Sequence, residues 1–294
     1  TNTGDLAMKN IITTLLLLLL TTLAATAQPN CLVYKNEGDM KKYEACEKCS
    51  ELAGHYQFSK EFQEKLDEVL EIDSTFAWAY RAKSVAYLKS GDFIRWKELM
   101  DKAVQYDPEN MLGYRGWCRF QFFRDYEGAI ADLEELDKLV DYDIGYSVTG
   151  EYHLKIAMAI CYRSIGEKEK AIKLIEEQIG NEKHFAGLYD YLHLGSLYLE
   201  VGEFERSIEA LEKQINENDM AEVHYYLGMN YYRMSMVRSD YQRGLAEKEK
   251  ALNEFIKAKE LYTSGKRMRD GYSHPVDKVF LEEIELQIEN LESL

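Results

Sequence analysis

The stretch YLHLGSLYLEVGEFERSIEALE, residues 191–212, decides the fold of this chain. Apolar and small residues recur every three or four positions on both sides of Gly202, as they do in amphipathic helices. Gly202 can adopt the left-handed backbone conformation that ends a helix, and Glu203 then complements the start of the next one. The stretch therefore predicts two helices joined by a tight turn.

The same pattern recurs along most of the chain. Turns of similar composition separate two amphipathic stretches at Gly91-Asp92, Arg124-Asp125, Gly166-Glu167 and Gly202-Glu203. The close-packed position of the first helix recurs at spacings of 34, 33, 42, 36 and 33 residues, at Ser50, Ser84, Trp117, Ala159, Gly195 and Gly228. A period near 34 predicts stacked helix pairs that share a core with their neighbours.

Three units depart from the regular repeat. The third has Trp117 where a small residue is usual, and a shift of one residue would place Gly116 there instead. About eight additional residues at 141–150 predict a loop before the fourth unit. In the sixth unit the partner position, Ala251, follows Gly228 by 23 residues instead of 12, which predicts about three additional helical turns.

The repeat resembles the tetratricopeptide repeat, whose pattern is Trp-x2-Leu-Gly-x2-Tyr, then Ala-x3-Phe, then a proline. The matching residues are Tyr191, Leu194, Gly195 and Tyr198 in the fifth unit, and Leu227, Gly228, Tyr231, Ala251 and Phe255 in the sixth. The resemblance implies an all-α, right-handed superhelical solenoid of about six helix pairs over residues 43–263. Residues 264–294 are expected to form a linker and a C-terminal capping helix, which His274-Pro275 opens and which runs from Val276 to Leu294.

The N-terminal residues have the pattern of a secretory signal. Met8-Lys9-Asn10 precedes an apolar run with six consecutive leucines, Leu15 to Leu20, and the run ends at Ala25-Thr26-Ala27. Residues 1–27 are therefore interpreted as a signal peptide, with 1–7 as an unexplained upstream extension, followed by an N-terminal segment at 28–42. We expect an exported protein, periplasmic or secreted, with no stable membrane insertion after removal of the signal.

Charge and motifs disfavour several classes of function. The chain has 36 Lys plus Arg against 52 Asp plus Glu, a net charge of -16, so its surface repels nucleic-acid phosphates. No phosphate-binding loop, nucleophile elbow or kinase signature occurs. No two of the six histidines stand three or four residues apart, the spacing of a helical metal site. We therefore expect no catalytic residue, no cofactor and no metal site.

The cysteines near the N-terminus suggest a disulfide. Cys46 and Cys49 lie in an amphipathic helix that is expected to begin near Tyr43, without the strand that precedes a redox-active pair in thioredoxin-like proteins. We expect Cys31 to bond to Cys46 or to Cys49 and so to attach the N-terminal segment to the first repeat. A strained bond between Cys46 and Cys49 is the alternative. An alternative function follows from the same residues: a thiol-redox or metal-linked protein that uses the repeats as its docking surface.

In the tetratricopeptide family the first helices line a concave groove that binds peptides or partner helices. The resemblance places these residues in that groove: Trp78, Arg81, Lys89, Tyr114, Gln121, His153, Arg163, Tyr189, Tyr225, Met229, Tyr232 and Arg233. The Lys and Asn clamp by which some members hold a terminal carboxylate is not matched, since Arg81 and Val85 stand at those positions. We expect a non-catalytic exported scaffold that binds a protein or peptide segment rich in acidic and apolar residues. The identity of the partner, a glycan in place of a peptide, and the oligomeric state stay open.

Overall fold

The structure, a computed structural model, describes residues 29–237, 239–269 and 276–293. Secondary structure in these ranges is helical, apart from one isolated antiparallel bridge between Tyr146 and His153. The all-α prediction is confirmed. None of the helices in these ranges is long and apolar enough to cross a membrane. The predictions made for residues 1–27 and for His274-Pro275 lie outside the described residues.

The chain divides into two compact units, residues 1–107 and 108–294. The first contains α1 (Leu32–Glu37), α2 (Met40–Lys48), a 3-10 helix (Cys49–Leu52), α3 (Lys60–Ile72), α4 (Ala77–Ser90) and α5 (Phe93–Tyr106). The second contains α6 (Pro108–Cys118), a π-helix (Arg119–Phe123), α7 (Tyr126–Leu139), α8 (Leu154–Ser164), α9 (Lys168–Ile179), α10 (Asp190–Val201), α11 (Phe204–Glu217), α12 (Ala221–Val237), α13 (Tyr241–Thr263) and α14 (Leu281–Glu292). The division falls inside residues 43–263, which the repeats predict as one solenoid. The right-handed sense of the superhelix stays a prediction.

Helix caps set the boundaries in the first unit. The side chain of Asp39 accepts the backbone N–H of Lys42 at 3.0 Å, so α2 begins at Met40 and not near Tyr43 as the repeat pattern predicts. Asp92 caps α5 in the same way. The core of this unit lies between α2, α3 and the start of α4 and contains the buried side chains of Cys46, Cys49, Leu66, Val69 and Phe76.

The turn residues have the backbone conformation that the repeats predict. The angle φ is +83° at Gly91, +93° at Gly166 and +82° at Gly202. In the third repeat the same turn is made by Arg124, with φ of +54°. A side chain in this region costs about 1–2 kcal/mol relative to the right-handed conformation, which glycine avoids.

The third repeat uses Gly116, and not Trp117, as its close-packed position. A Cβ added to Gly116 would lie 2.9 Å from Cγ of Leu133, and one added to Gly195 would lie 2.6 Å from Cγ of Leu211 in α11. The spacing to the contacted leucine is one residue longer in the third repeat than in the fifth. The π-helix Arg119–Phe123 accommodates this residue, because a π turn holds one residue more than an α turn.

A tyrosine of the first helix ties consecutive pairs together in the second unit. The hydroxyl of Tyr162 donates to Glu134 of the preceding pair, and Nζ of Lys170 lies 3.8 Å from the Tyr162 ring centroid. The next pair repeats this arrangement with Tyr198, Glu176 and Arg206. Each tyrosine thus contacts an acid from the pair before it and a cation from its own second helix.

The last pair is longer than the others, as predicted: α12 has 17 residues and α13 has 23. The capping helix is shorter than predicted, because α14 begins at Leu281 and the residues from Val276 to Phe280 are not helical. The carboxylate of Glu283 accepts the backbone N–H of Phe280 at 2.7 Å, which fixes the start of α14 at this point. α14 packs against α13 and buries Ile284 completely.

Candidate functional site

A carboxylate from the C-terminal segment lies buried against the first helices of the second unit. Oδ2 of Asp277 accepts hydrogen bonds from Nη1 of Arg163 at 2.8 Å and from Nδ1 of His193 at 2.5 Å. Oδ1 accepts from the hydroxyl of Tyr226 at 3.3 Å. The three donors belong to α8, α10 and α12, the first helices of three consecutive pairs. We call these four residues the Asp277 cluster, and the surface of α8, α10 and α12 that they share the first-helix face.

The Asp277 cluster stabilises an ionised carboxylate without contact with water. Burial by itself would raise the pKa of Asp277, which is 0% exposed, but the charge of Arg163 and the hydrogen bond from His193 lower this pKa below its usual range. Burial by itself would lower the pKa of the Arg163 guanidinium, but the charges of Asp277 and Glu200 raise this pKa above its usual value. Glu200 lies 2.5 Å from Nη2 of Arg163. A buried charge is tolerated only with such partners, which Arg163, His193 and Tyr226 provide here.

An apolar contact accompanies the carboxylate. Val279 is 2% exposed and packs with Ala258 and Ile284, in a cluster bordered by half-buried tyrosines. Burial alternates along the segment, since Asp277 and Val279 point inward while Phe280 is 39% exposed. Alternation with a period of two is typical of an extended chain lying on a surface.

An accessible strip runs along α12 beside the Asp277 cluster. It consists of four residues predicted for the groove, Tyr225, Met229, Tyr232 and Arg233, of which the first three are half-buried and the last is exposed. Their spacing places them on one side of the helix. Nη1 of Arg233 donates to the carbonyl of Leu199 at 3.4 Å, so the guanidinium lies over the end of α10. The rings of Tyr225 and Tyr226 lie 5.4 Å apart, which joins this strip to the cluster.

The other predicted groove residues lie apart from this strip in the sequence. In the first unit, α4 carries Trp78 and Arg81, which are half-buried, and Lys89, which is exposed. In the second unit, Tyr114 lies on α6 and Gln121 in the π-helix, and both are half-buried. That these residues bind a partner stays a prediction.

Three predicted groove residues are corrected by the structure, because their side chains are occupied inside the second unit. Arg163 is only 9% exposed and is held by Asp277. His153 is buried at the start of α8, where its Nδ1 accepts the backbone N–H of Lys155 at 3.2 Å. Tyr189 is buried too, with its ring 6.4 Å from that of His193. Their side chains are therefore not exposed along the predicted groove.

The predicted loop before the fourth unit is present, and it forms a pocket of about 550 Å³ with the residues that follow α9. The pocket is lined by Asp141, Tyr142, Asp143, Tyr146, His153, Gln178, Asn181, Lys183 and His184. Nε2 of His153 lies 2.7 Å from Asp143, and Nε2 of His184 lies 2.8 Å from Asp190. Gln178 donates to Nδ1 of His184 at 3.0 Å. Both ring nitrogens of each histidine therefore have partners within the protein.

The structure pairs Cys31 with Cys46 as a disulfide, with 5.5 Å between their Cα atoms. This is one of the two pairings with Cys31 that the sequence left open. Cys49, Cys118 and Cys161 are buried and are not in a disulfide. Burial raises the pKa of Cys49 to about 12, so this thiol stays protonated and lacks the thiolate that redox chemistry needs. Within the described ranges, no group of three or more His, Cys, Asp or Glu side chains could hold a metal ion.

Sequence reasoning missed Asp277, His193 and Tyr226. His193 and Tyr226 lie on predicted first helices, but the pattern gives no reason to select them from their neighbours. Asp277 was assigned to the capping helix, because Val279 and later apolar residues recur at helical spacing. The only contrary signal was Pro275, since a proline is as compatible with an extended segment as with the start of a helix.

The stacked helix pairs and two of the repeats define the class of protein. A family model described as tetratricopeptide repeat matches residues 79–110 and 191–219. These two segments are therefore tetratricopeptide repeats, and the helix pairs of the two units have the architecture expected of that family.

Similar solved structures agree with this fold. PilF of Pseudomonas aeruginosa superimposes with a TM-score of 0.52 at 14% identity, over 87% of this chain and 94% of PilF. A chain of the APC/C hetero-tetramer Cut9–Hcn1 gives a TM-score of 0.51 at 12% identity, over 86% of this chain and 41% of that one. At these identities the likeness shows the fold alone. Among curated protein sequences none matches this chain.

Proposed function

We propose that this chain is a non-catalytic, exported scaffold that binds a protein segment on the first-helix face of its second unit. The observation that carries this proposal is the Asp277 cluster, in which three consecutive first helices direct donors to one carboxylate of an extended segment. A surface that holds such a segment of its own chain has the donors and the apolar contact that an acidic and apolar segment of another protein requires.

The strip on α12 supports the same proposal. Tyr, Arg and Met concentrate binding energy in protein interfaces, because they offer large contact areas, a planar donor group or an adaptable apolar chain. The helix that carries them, α12, packs against α11 and α13, and α8 and α10 are held by the repeat-to-repeat contacts of Tyr162 and Tyr198. The surface therefore needs little further ordering when it binds. The two matched tetratricopeptide repeats add the general expectation of protein binding.

Export is proposed from two observations. The signal-like pattern ends at Ala27, and the disulfide between Cys31 and Cys46 is of a kind that persists in oxidising compartments. We expect the mature protein to begin at Gln28 or an immediate neighbour. The intact mass of the protein recovered from the cell envelope or the medium checks this, and a mass that includes the apolar run Leu15 to Leu20 would contradict it.

The binding surface is tested with the triple variant Met229→Ala, Tyr232→Ala and Arg233→Ala. Partners captured by the wild-type chain are identified by mass spectrometry, and the affinity of each for both proteins is then measured. We expect the triple variant to bind at least about 30-fold more weakly, which corresponds to the loss of about 2 kcal/mol at one hot spot. Arg243→Ala, which removes an exposed arginine from α13, is the matched control and should bind like the wild type. Equal affinity of wild type and triple variant would refute the proposal.

A further inference from the structure

The C-terminal segment occupies the surface that the proposed function assigns to a partner. Asp277 and Val279 are both buried, the first among donors from α8, α10 and α12 and the second in an apolar cluster beside α13. The residue between them is half-buried, and those on either side are exposed. The contacts of the segment are therefore those of an extended ligand that inserts every second side chain.

The attachment of this segment is peripheral. Among the helices, α14 packs mainly against α13, and its fully buried side chain is that of Ile284. Leu286 of α14 is 52% exposed. The ion pair between Asp277 and Arg163 stabilises the docked segment less than its short distance suggests, because removing two charges from water offsets much of their attraction. A segment held in this way can leave without disrupting a helix pair.

We propose that the segment from Val276 to Phe280 is an internal ligand of the first-helix face, and that the partner is an extended protein segment that replaces it with the same chemistry. That chemistry is a carboxylate for the Asp277 cluster and, two residues later, a small β-branched apolar side chain for the pocket of Val279. This proposal rests on the proposed function and names the class of partner for the same surface. The partner must compete with the chain's own segment, which is covalently attached and therefore has an effective concentration in the millimolar range.

The competition makes partner binding conditional. A partner binds only the fraction of molecules whose own segment is undocked, so its apparent affinity falls by that fraction. Changes that undock the segment should therefore strengthen binding without adding any contact. Two independent changes do this from opposite ends of the segment: Asp277→Ala removes the carboxylate, and Val279→Lys places a charge in the apolar pocket while Arg163, His193 and Tyr226 stay intact.

The probe is a fluorescent peptide with the sequence of residues 276–293, titrated into the full chain and followed by anisotropy. We expect Asp277→Ala and Val279→Lys each to bind it at least tenfold more tightly than the wild type. A peptide in which Asp277 is replaced by Asn should lose this binding. Glu289→Gln, which removes an exposed acid of α14, is the matched control and should behave like the wild type.

Two results would overturn the proposal. One is equal binding of the peptide by the wild type and both displaced variants when their circular dichroism spectra are unchanged. The other is loss of the folded second unit in both variants, which would make the segment a permanent part of the core. Failure of the proposed function would give a different result. In that case the triple variant on α12 would bind partners as tightly as the wild type, even though the displaced variants bind the peptide.

Discussion

Exchanging Arg163 for Met tests whether the Asp277 cluster is held together by its charges. The variant keeps an unbranched apolar stem but removes the guanidinium, which leaves the carboxylate of Asp277 with His193 and Tyr226 as its side-chain donors among the described residues. Asp277 is 0% exposed and Arg163 9%, so solvent does not screen their interaction. Removing one partner of a buried pair costs about 3–5 kcal/mol, because the other charge stays buried.

The size of the pairwise interaction follows from a double-mutant cycle with Asp277→Leu. The double variant replaces both charges by apolar groups and should lose much less than the sum of the two single variants. We expect a coupling energy of about 2–3 kcal/mol. Arg206→Met provides the control, since its partner Glu176 and Arg206 itself are 40% and 50% exposed, and an exposed pair contributes at most about 1 kcal/mol.

The assay is urea unfolding of the four proteins at pH 7, followed by far-UV circular dichroism, with hydrogen exchange of α14 measured in parallel. Exchange is needed because the loss cannot exceed the free energy that docks the C-terminal segment. Once that limit is reached, the segment leaves and α14 exchanges while α8 and α10 stay protected. A coupling energy below about 0.5 kcal/mol, with α14 protected in all four proteins, would refute the reasoning.

Four further predictions concern other parts of the chain. Unfolded but unreduced protein should show three free thiols and reduced protein five, and replacing both disulfide cysteines by Ser should lower the free energy of unfolding by up to about 3 kcal/mol for a loop of 15 residues. Gly228→Val should cost about 2–3 kcal/mol in thermal or urea unfolding, because a Cβ there would lie 2.7 Å from an aromatic ring, and a neutral result would contradict the packing. Burial lowers the pKa of His153, so its effect is to destabilise the fold as pH falls below about 6.5, and His153→Gln should flatten that decline. Burial alone would lower the pKa of His224, but Glu254 and Asp219 raise it, so the stabilisation by His224 is fully present below about pH 6.5 and is lost as pH rises through the raised value. His224→Gln should therefore cost more at pH 5.5 than at pH 8, and the reverse order would contradict the assignment.

The repeat architecture could be predicted because it depends on local and periodic signals. Gly91 and Gly202 mark turns by their backbone conformation, and the small residues at Gly195 and Gly228 mark close helix contacts. The one-residue uncertainty at Gly116 had a local cause as well, since the third repeat contains a π turn. Such signals depend on a few neighbouring residues, so they can be identified without knowledge of the tertiary structure.

The candidate site could be predicted only in part, because it depends on contacts between distant residues. Tyr225, Met229, Tyr232 and Arg233 lie on one accessible side of α12, because helix periodicity determines their position, and their role in binding stays a prediction. Arg163 is predicted to line a groove for an acidic and apolar segment of another protein, but the carboxylate that it contacts comes from Asp277, 114 residues further along the chain. No spacing rule connects these positions. The carboxylate that pairs with Arg163 is therefore determined by the tertiary structure and not by the local sequence.

The acidic outer side of α14 has a consequence for assembly. A repeat array exposes an apolar helix face at each end, and a second copy could continue the stack there, so open-ended arrays are prone to grow into filaments. Here α14 covers α13, and its outward residues Glu282, Glu289 and Glu292 are exposed acids. An approaching copy of a protein with a net charge of -16 therefore meets like charge at this helix. The helix that follows the internal ligand thereby disfavours the stacking of a second copy on α13.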